Sequence, residues 1–226
     1  MIVSAFLISD TLEDIKSSDQ SIVIKGYAEK IIKSDLANWN CSIRASSTDM
    51  ISAFAKLKSD VEKTKAYLIK SGFKQENIST SSVNTTKIFR INDEGRYTNQ
   101  IIGYELEQTI KLSSQNVNLI KNISNDATVL IQDGIEIFSF PPEFFYTKLN
   151  DLKIIMLGEA TKDAKVRADA MAKNSDSEVG KLKSARQGVF QITPVNSVDV
   201  SDYGEYDLST IEKSIKAVVT VEFKIK

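Results

Sequence analysis

The chain has 226 residues, 29 of them basic and 30 acidic, with 42% apolar and 26% charged side chains. This near-neutral balance supplies no field to draw in nucleic acid or anionic lipid, and no Lys/Arg run interleaves with aromatics. Histidine is absent and Cys41 is the single cysteine, which excludes Ser-His-Asp and Cys-His nucleophiles, His-ligated or Cys-based zinc and an intrachain disulfide.

The start, Met1-Ile-Val-Ser-Ala-Phe-Leu-Ile8, is apolar. As helix it would span only ~12 Å, and a bilayer crossing takes ~20 apolar residues. It also lacks the basic start and small-residue cleavage site of a signal peptide. Two readings stand: a frayed amphipathic start, or the remnant of a membrane anchor with a polar spacer from Asp10 to Gln20. The chain therefore divides into an N-terminal segment, 1–20, and a single α+β domain, 21–226.

Ser21-Ile-Val-Ile-Lys-Gly-Tyr27 reads as a strand rich in β-branched residues. In the next strand Ala37, Trp39, Cys41, Ile43 and Ala45 alternate with Asn38, Asn40, Ser42 and Arg44, so the first set faces a core. Cys41 then reads as a small core hydrophobe. Thr48 precedes an apolar-periodic run and can cap a helix, whose stripe is Ile51, Phe54, Leu57, Val61 and Leu68. Lys56, Lys58, Glu62, Lys63 and Lys65 fall mostly on its solvated side. Gly72 supplies the stop.

Residues 78–89 form a Ser/Thr-rich strand, and 91–99 a polar hairpin loop. Beyond it Ile102, Tyr104, Leu106, Ile110 and Leu112 share one face, which Gln108 interrupts; Glu105, Glu107, Thr109 and Lys111 lie on a wet face. A second helix spans 114–131 with Val117, Ile120, Ile123, Ala127 and Leu130 inward. Asp133-Gly134 turns the chain into a short strand, 135–138. Pro141-Pro142 marks a break and a helix start, giving a long third helix over 143–174 with Ala160, Ala164, Ala168 and Ala172 at fourth positions. Residues 182–192 read as a strand with Gly188 at a bulge. Val219, Val221, Phe223 and Ile225 alternate with polar residues in the final strand.

The order β-β-α-β-β-α-β-α-β-β has no tandem βαβ units with glycine-rich loops, which argues against a doubly wound nucleotide fold. It predicts an α+β fold: antiparallel or mixed sheets with helices packed on one face.

Little in the chain points to chemistry. Thirty acidic residues offer many accidental pairs, so a carboxylate dyad has no distinguishing signal. The stretch Asp199, Asp202, Glu205, Asp207 and Glu212 carries oxygen ligands of the kind calcium takes, but its spacing matches no EF-hand loop, and it also reads as a solvated surface loop. Phe144, Phe145 and Tyr146 after the double proline, with Tyr203 and Tyr206 in the acidic stretch, are the candidate interface residues. The competing reading of the first three is a helix start buried on its own core. No catalytic, cofactor-binding or metal-ligating residue is assigned.

Several pieces then fall in a shared order: Ile22-Val-Ile-Lys-Gly-Tyr-Ala-Glu29, Ser34-Asp-Leu-Ala-Asn-Trp39, Leu68-Ile-Lys-Ser-Gly-Phe73 leading to Asn77-Ile-Ser-Thr80, and Ile102-Gly-Tyr104. They continue with the alanine-spaced helix around Arg167, Val179-Gly180-Lys181-Leu182, Ser201-Asp-Tyr-Gly204 and Ala217-Val-Val-Thr-Val-Glu-Phe223. Together they resemble the SIMPL-domain family, found in bacterial envelopes and also in animals. The resemblance runs from about Ile22 to Ile225. It implies an α+β fold and, for bacterial members, an extracytoplasmic place behind a signal or anchor. Some members are associated with oxidative-stress defence, some resemble ring- or channel-like oligomers, and an animal member is an adaptor in kinase signalling. Fold-level analogy cannot choose among such roles. The expectation is a non-enzymatic, self-associating cell-envelope protein, periplasmic or at the cell surface. It would form a homo-oligomer, with room for another protein partner, no cofactor and no nucleic acid, and would meet the membrane only through the N-terminal segment. The alternative is a monomeric binding module or signalling adaptor.

Overall fold

A computed structural model describes residues 20–198 and 201–226. The N-terminal segment read as an anchor remnant or a frayed start lies outside them, up to residue 19, as does Asp199. Among the described residues there are three α-helices and eleven strands, the α+β class that the alternation and the helical stripes predict. They form two compact units.

The terminal unit gathers both ends of the described chain (20–33, 148–207 and 212–226). Strand β1 (Ser21–Lys33) lies antiparallel along β11 (Glu212–Ile225), from Ser21 opposite Lys224 to Lys33 opposite Glu212. The far side of β11 takes β9 (Gln191–Pro194) and β8 (Val179–Gln187). The two-residue β10 (Glu205–Tyr206) runs parallel to β9.

Helix α3 (Leu149–Lys173) packs on β1 and β11. Its buried stripe is Leu152, Met156, Ala160, Ala164, Ala168 and Ala172. Opposite it, a Cβ at Gly26 would overlap the Ala160 carbonyl oxygen and sit 2.7 Å from the Ala164 Cβ. Small side chains on the helix and none on the strand let the two backbones touch. Asp163, on the same stretch of α3, accepts a 2.8 Å hydrogen bond from the Tyr27 N–H and another from Arg167 Nε. Those donors hold its carboxyl below the usual carboxylate range.

The central unit comprises 34–147 and 208–211. Its sheet is built on β2 (Leu36–Ser47). One side of β2 pairs with β5 (Tyr97–Ser114), which carries β3 (Ile78–Thr80) and β4 (Asn84–Ile91) on its far edge. The other side takes β6 (Glu136–Ser139) and β7 (Glu143–Phe145). Helix α1 (Met50–Lys70) and helix α2 (Val117–Asp126), the latter continued by a 3-10 segment (Ala127–Asp133), pack on this sheet. The predicted core faces of β2 and of the second helix are buried throughout. Trp39 is fully buried, with its indole N–H on Ser139 Oγ at 3.1 Å and that hydroxyl on the Ser124 carbonyl at 2.6 Å. Cys41 is buried as predicted, and desolvation pushes its thiol pKa up to about 12.

Several local expectations are corrected. Asp49, not Thr48, caps α1, because its carboxylate reaches the Ser52 N–H at 2.8 Å. The stripe of α1 is rotated: Ala53, Leu57, Val61, Thr64 and Leu68 are buried, whereas Ile51 is 83% and Phe54 48% exposed. The strand over 78–89 is two strands, β3 and β4, and the one over 182–192 is β8 and β9, parted at Gly188, where a Cβ would press on the Val218 carbonyl. The second helix is α2 followed by a tighter 3-10 segment.

The helix predicted over 143–174 starts only at Leu149. Residues 143–145 are extended as β7 because they find a sheet edge, with Phe144 opposite Ala37. The Asp35 carboxylate holds the end of that strand by accepting from both the N–H and the Oγ1 of Thr147, each at 2.8 Å.

The contact at Gly26 carries a prediction. Gly26→Ala, which sets a methyl group against helix backbone, costs about 3 kcal/mol or prevents folding. Gly158→Ala, in the same helix and with nothing within 4 Å of the new methyl, stabilises by about 0.8 kcal/mol. Urea unfolding of the two variants checks the opposite signs, and a Gly26→Ala protein as stable as the parent would refute the contact.

Candidate functional site

The five candidate interface residues are not brought together as one surface. Phe144 points into the central unit's core at 3% exposure and is spent there. Phe145 and Tyr146 are half-buried in the same unit. Tyr203 and Tyr206 belong to the terminal unit, the first 97% exposed and the second 41%.

The acidic stretch holding those tyrosines is tied to the sheet, not loosely solvated. Gln191 Nε2 donates to the Ser201 carbonyl at 2.5 Å, the Asp207 N–H donates to the Ile192 carbonyl at 2.8 Å, and Gly204 turns the chain at a φ of 85°. Asp207 also meets Lys213, which is fully buried, at 3.4 Å. Burial pulls the Lys213 ammonium pKa down, and Asp207 opposes that pull. A buried pair of this kind is strongly destabilising to break from one side, so it anchors the segment. Among the described residues no group of three or more Cys, Asp and Glu converges on a point where a metal ion would sit.

The face of the β1/β11 sheet away from α3 carries a second cluster. Glu29 accepts from the Tyr27 hydroxyl and from Ser214 Oγ, and Lys216 Nζ donates to the Ser197 carbonyl at 2.8 Å. The Ser214 hydroxyl first, and Tyr27 second, hold the Glu29 carboxyl below its ordinary range. Burial, with Glu29 beside it, pushes Tyr27 up to about 12. Ser214 is buried, so the serine and carboxylate serve as a latch between two strands.

The surface that the sequence reading missed is the ribbon of β4 and β5. Asn92 Oδ1 accepts from the Arg96 N–H at 2.8 Å, and Gly95 (φ 77°) closes the turn. Near that turn Phe89 faces Ile101 and Ile91 faces Tyr97 across the ladder. All four are exposed, Tyr97 to 79% and Ile91 to 54%. The hairpin was legible in the Asn-Asp-Glu-Gly turn. Its apolar rungs were not, because 91–99 read as a polar loop, whereas Ile91 ends β4 and Tyr97 begins β5, leaving only 92–96 as the turn.

Architecture and clusters together describe a two-unit α+β protein whose polar groups mostly serve its folding. Residues 22–223 match the model of the SIMPL family, described as protein of unknown function (DUF541). The chain belongs to that family. No curated protein matches. Among solved structures, it is similar to the crystal structure of an amidase of the hydantoinase/carbamoylase family from Burkholderia phymatum, at 11% identity and a TM-score of 0.33. The match covers 57% of this chain and 34% of the amidase, so the chain spans about a third of that protein's length. Among the described residues no helix is long and apolar enough to cross a membrane.

The Glu29 cluster predicts an acid response. A carboxyl lowered in the folded state contributes stability above its unfolded pKa and loses it as pH falls through the folded value. The urea midpoint of the parent should exceed that of Glu29→Gln at about pH 6 and approach it by about pH 3. Parallel pH profiles for the two proteins would contradict the latch.

Proposed function

We propose that this SIMPL-family chain is a non-enzymatic, extracytoplasmic protein that associates with further copies of itself, the β4–β5 ribbon forming part of the contact. The observation that supports this most is the pair of apolar rungs, Phe89–Ile101 and Ile91–Tyr97, standing in water on a two-stranded ribbon. Such a ribbon is marginal alone, and burying its apolar side chains in another copy would stabilise both partners. Tyr203, 97% exposed, is a further apolar contact of the same kind. The extracytoplasmic placement rests on the resemblance to envelope members of the family.

Size-exclusion chromatography with light scattering tests the association. The parent chain should run as a defined oligomer, and a variant carrying Phe89→Ser and Tyr97→Ser should dissociate at protein concentrations about tenfold higher or more. A parent that stays monomeric at high concentration would overturn self-association and favour the monomeric binding module. Cell fractionation of the full-length protein tests its placement, and recovery with cytoplasmic markers would overturn it.

A further inference from the structure

The outer face of the central unit's sheet, opposite the side packed by α1 and α2, holds a cleft of about 320 Å³. The register builds it from two adjacent rungs. In one, Ser79 of β3 lies opposite Lys111 of β5, and Lys111 opposite Asn40 of β2. In the next, Ser113 of β5 lies opposite Asn38 of β2, and Asn38 opposite Glu143 of β7. Asn77, at the end of the single 3-10 turn before β3, also lines the cleft. The two-residue period places these side chains on one face, while Ile78, Leu112, Trp39 and Phe144 point to the core on the other.

This cleft gathers several polar groups that are unspent, in a concave setting with both a cation and an anion. Two rungs further along, Ser42 donates to Glu107, Arg44 pairs with Glu107 at 3.5 Å, and Arg44 lies 4.5 Å over the Phe138 ring. In the cleft, among the described residues, no hydrogen bond or ion pair within the protein engages the side chains of Asn38, Asn40, Asn77, Ser79, Lys111 or Glu143. Lys111 and Glu143 sit on strands either side of β2 and two residues apart along it, so their backbones lie roughly 12 Å apart. They flank the amides of Asn38 and Asn40 instead of neutralising each other.

We infer that this cleft binds a small zwitterion, an amino acid or a short peptide with free ends. Lys111, with the Ser79 hydroxyl beside it, supplies donors for a carboxylate, and Glu143 accepts from an ammonium group. Between them each asparagine amide offers both a donor and an acceptor, the pattern that matches a peptide N–H and C=O. The volume is at the small end of ligand pockets. The cleft's formal charge, one cation and one anion, matches a ligand with no net charge. No aromatic face lines it, which argues against a sugar ring as occupant.

The test is a titration of the isotope-labelled full chain with alanylalanine, followed by backbone and asparagine side-chain amide shifts. Acetylated and amidated alanylalanine and a neutral hexose serve as comparisons. Saturable shifts are expected around Asn38, Asn40, Asn77, Lys111 and Glu143, with a dissociation constant in the millimolar range or below. Blocking either end of the peptide, or substituting Lys111→Gln or Glu143→Gln, should weaken binding about tenfold or more. Lys111 and Glu143 both lie on the exposed sheet surface, and unchanged shifts elsewhere confirm that each variant folds. An absence of saturable shifts with the free dipeptide, or equal binding of the blocked peptide, would overturn the inference. Equal or tighter binding of the hexose would overturn it in favour of a polyol site. The oligomer test uses other residues, so either proposal can fail alone.

Discussion

Helix α3 rests on β1 through backbone, and that imposes conditions on both partners. Interaxial separation between a helix and a sheet is normally set by side chains, and here they have been removed from both surfaces: Gly26 has none, and Ala160 and Ala164 have one carbon each. The gain is dispersion contact over the length of the helix, since Ala168 and Ala172 continue the buried stripe and the helix packs on both β1 and β11. The cost is a site that accepts nothing larger. The same approach brings Asp163 to the Tyr27 N–H, which lies on a strand that, among the described residues, is at the edge of its sheet. Covering an edge donor is one way proteins blunt an open edge. The Ile22-to-Glu29 motif and the alanine-spaced helix, far apart in sequence, are thus two halves of one contact.

In the central unit the corresponding constraint falls on β2. It is paired on both sides, and its inward residues Trp39, Cys41 and Ile43 are inaccessible to water. Between Ala37 and Ala45, whatever β2 shows to solvent must therefore come from Asn38, Asn40 and Arg44, because Ser42 is buried too. Asp35 sets the company that those residues keep. By accepting twice from Thr147 it holds β7 against the start of β2 and so brings Glu143 beside Asn38. The family-like Ser34-Asp35-Leu36 segment has a structural task whose consequence is the outline of the polar cleft.

How much of this was legible in the sequence depended on the range of the determining interaction. Period-two alternation exposed the faces of β2 and β11 and, beyond Gly103, of β5, because each has one wet face and one buried. Ile102, read as part of the inward face of β5, is 45% exposed, since that end of the strand lies in the uncovered ribbon with β4. The alanine spacing of α3 was legible for a similar reason. The phase of α1 was misread because its buried stripe begins with Ala53 and includes Thr64, while the larger Ile51 and Phe54 face water. Hydrophobicity ranks Phe above Ala, but a close approach to a sheet favours the smaller residue. The double proline was misread because both continuations, helix or strand, suit proline locally. The choice of strand was made by an edge of β2 more than a hundred residues earlier and by Asp35, neither visible in the local pattern. The cleft was hidden by the same error: with 143–145 read as helix, Glu143 could not be placed beside Asn38.

The two surfaces of the central unit differ in what an unmet group costs. An exposed Ile91 or Tyr97 loses no hydrogen bond in water; it only forgoes apolar burial, a non-directional term that any complementary apolar surface would recover. Such a surface favours association without fixing the partner's chemistry. An unpaired Lys111 or Glu143 is satisfied by water until a ligand displaces that water, and the ligand must then replace each hydrogen bond or bind poorly. That demand makes the cleft selective although shallow, since a partner lacking either charge leaves an ammonium or a carboxylate poorly solvated. Evolutionary freedom differs accordingly. The ribbon tolerates exchange among apolar residues of similar size, whereas each polar member of the cleft is tied to one functional group of its ligand. Substitution series on the two surfaces should therefore diverge in kind, the first graded with buried area and the second with the loss of individual donors and acceptors.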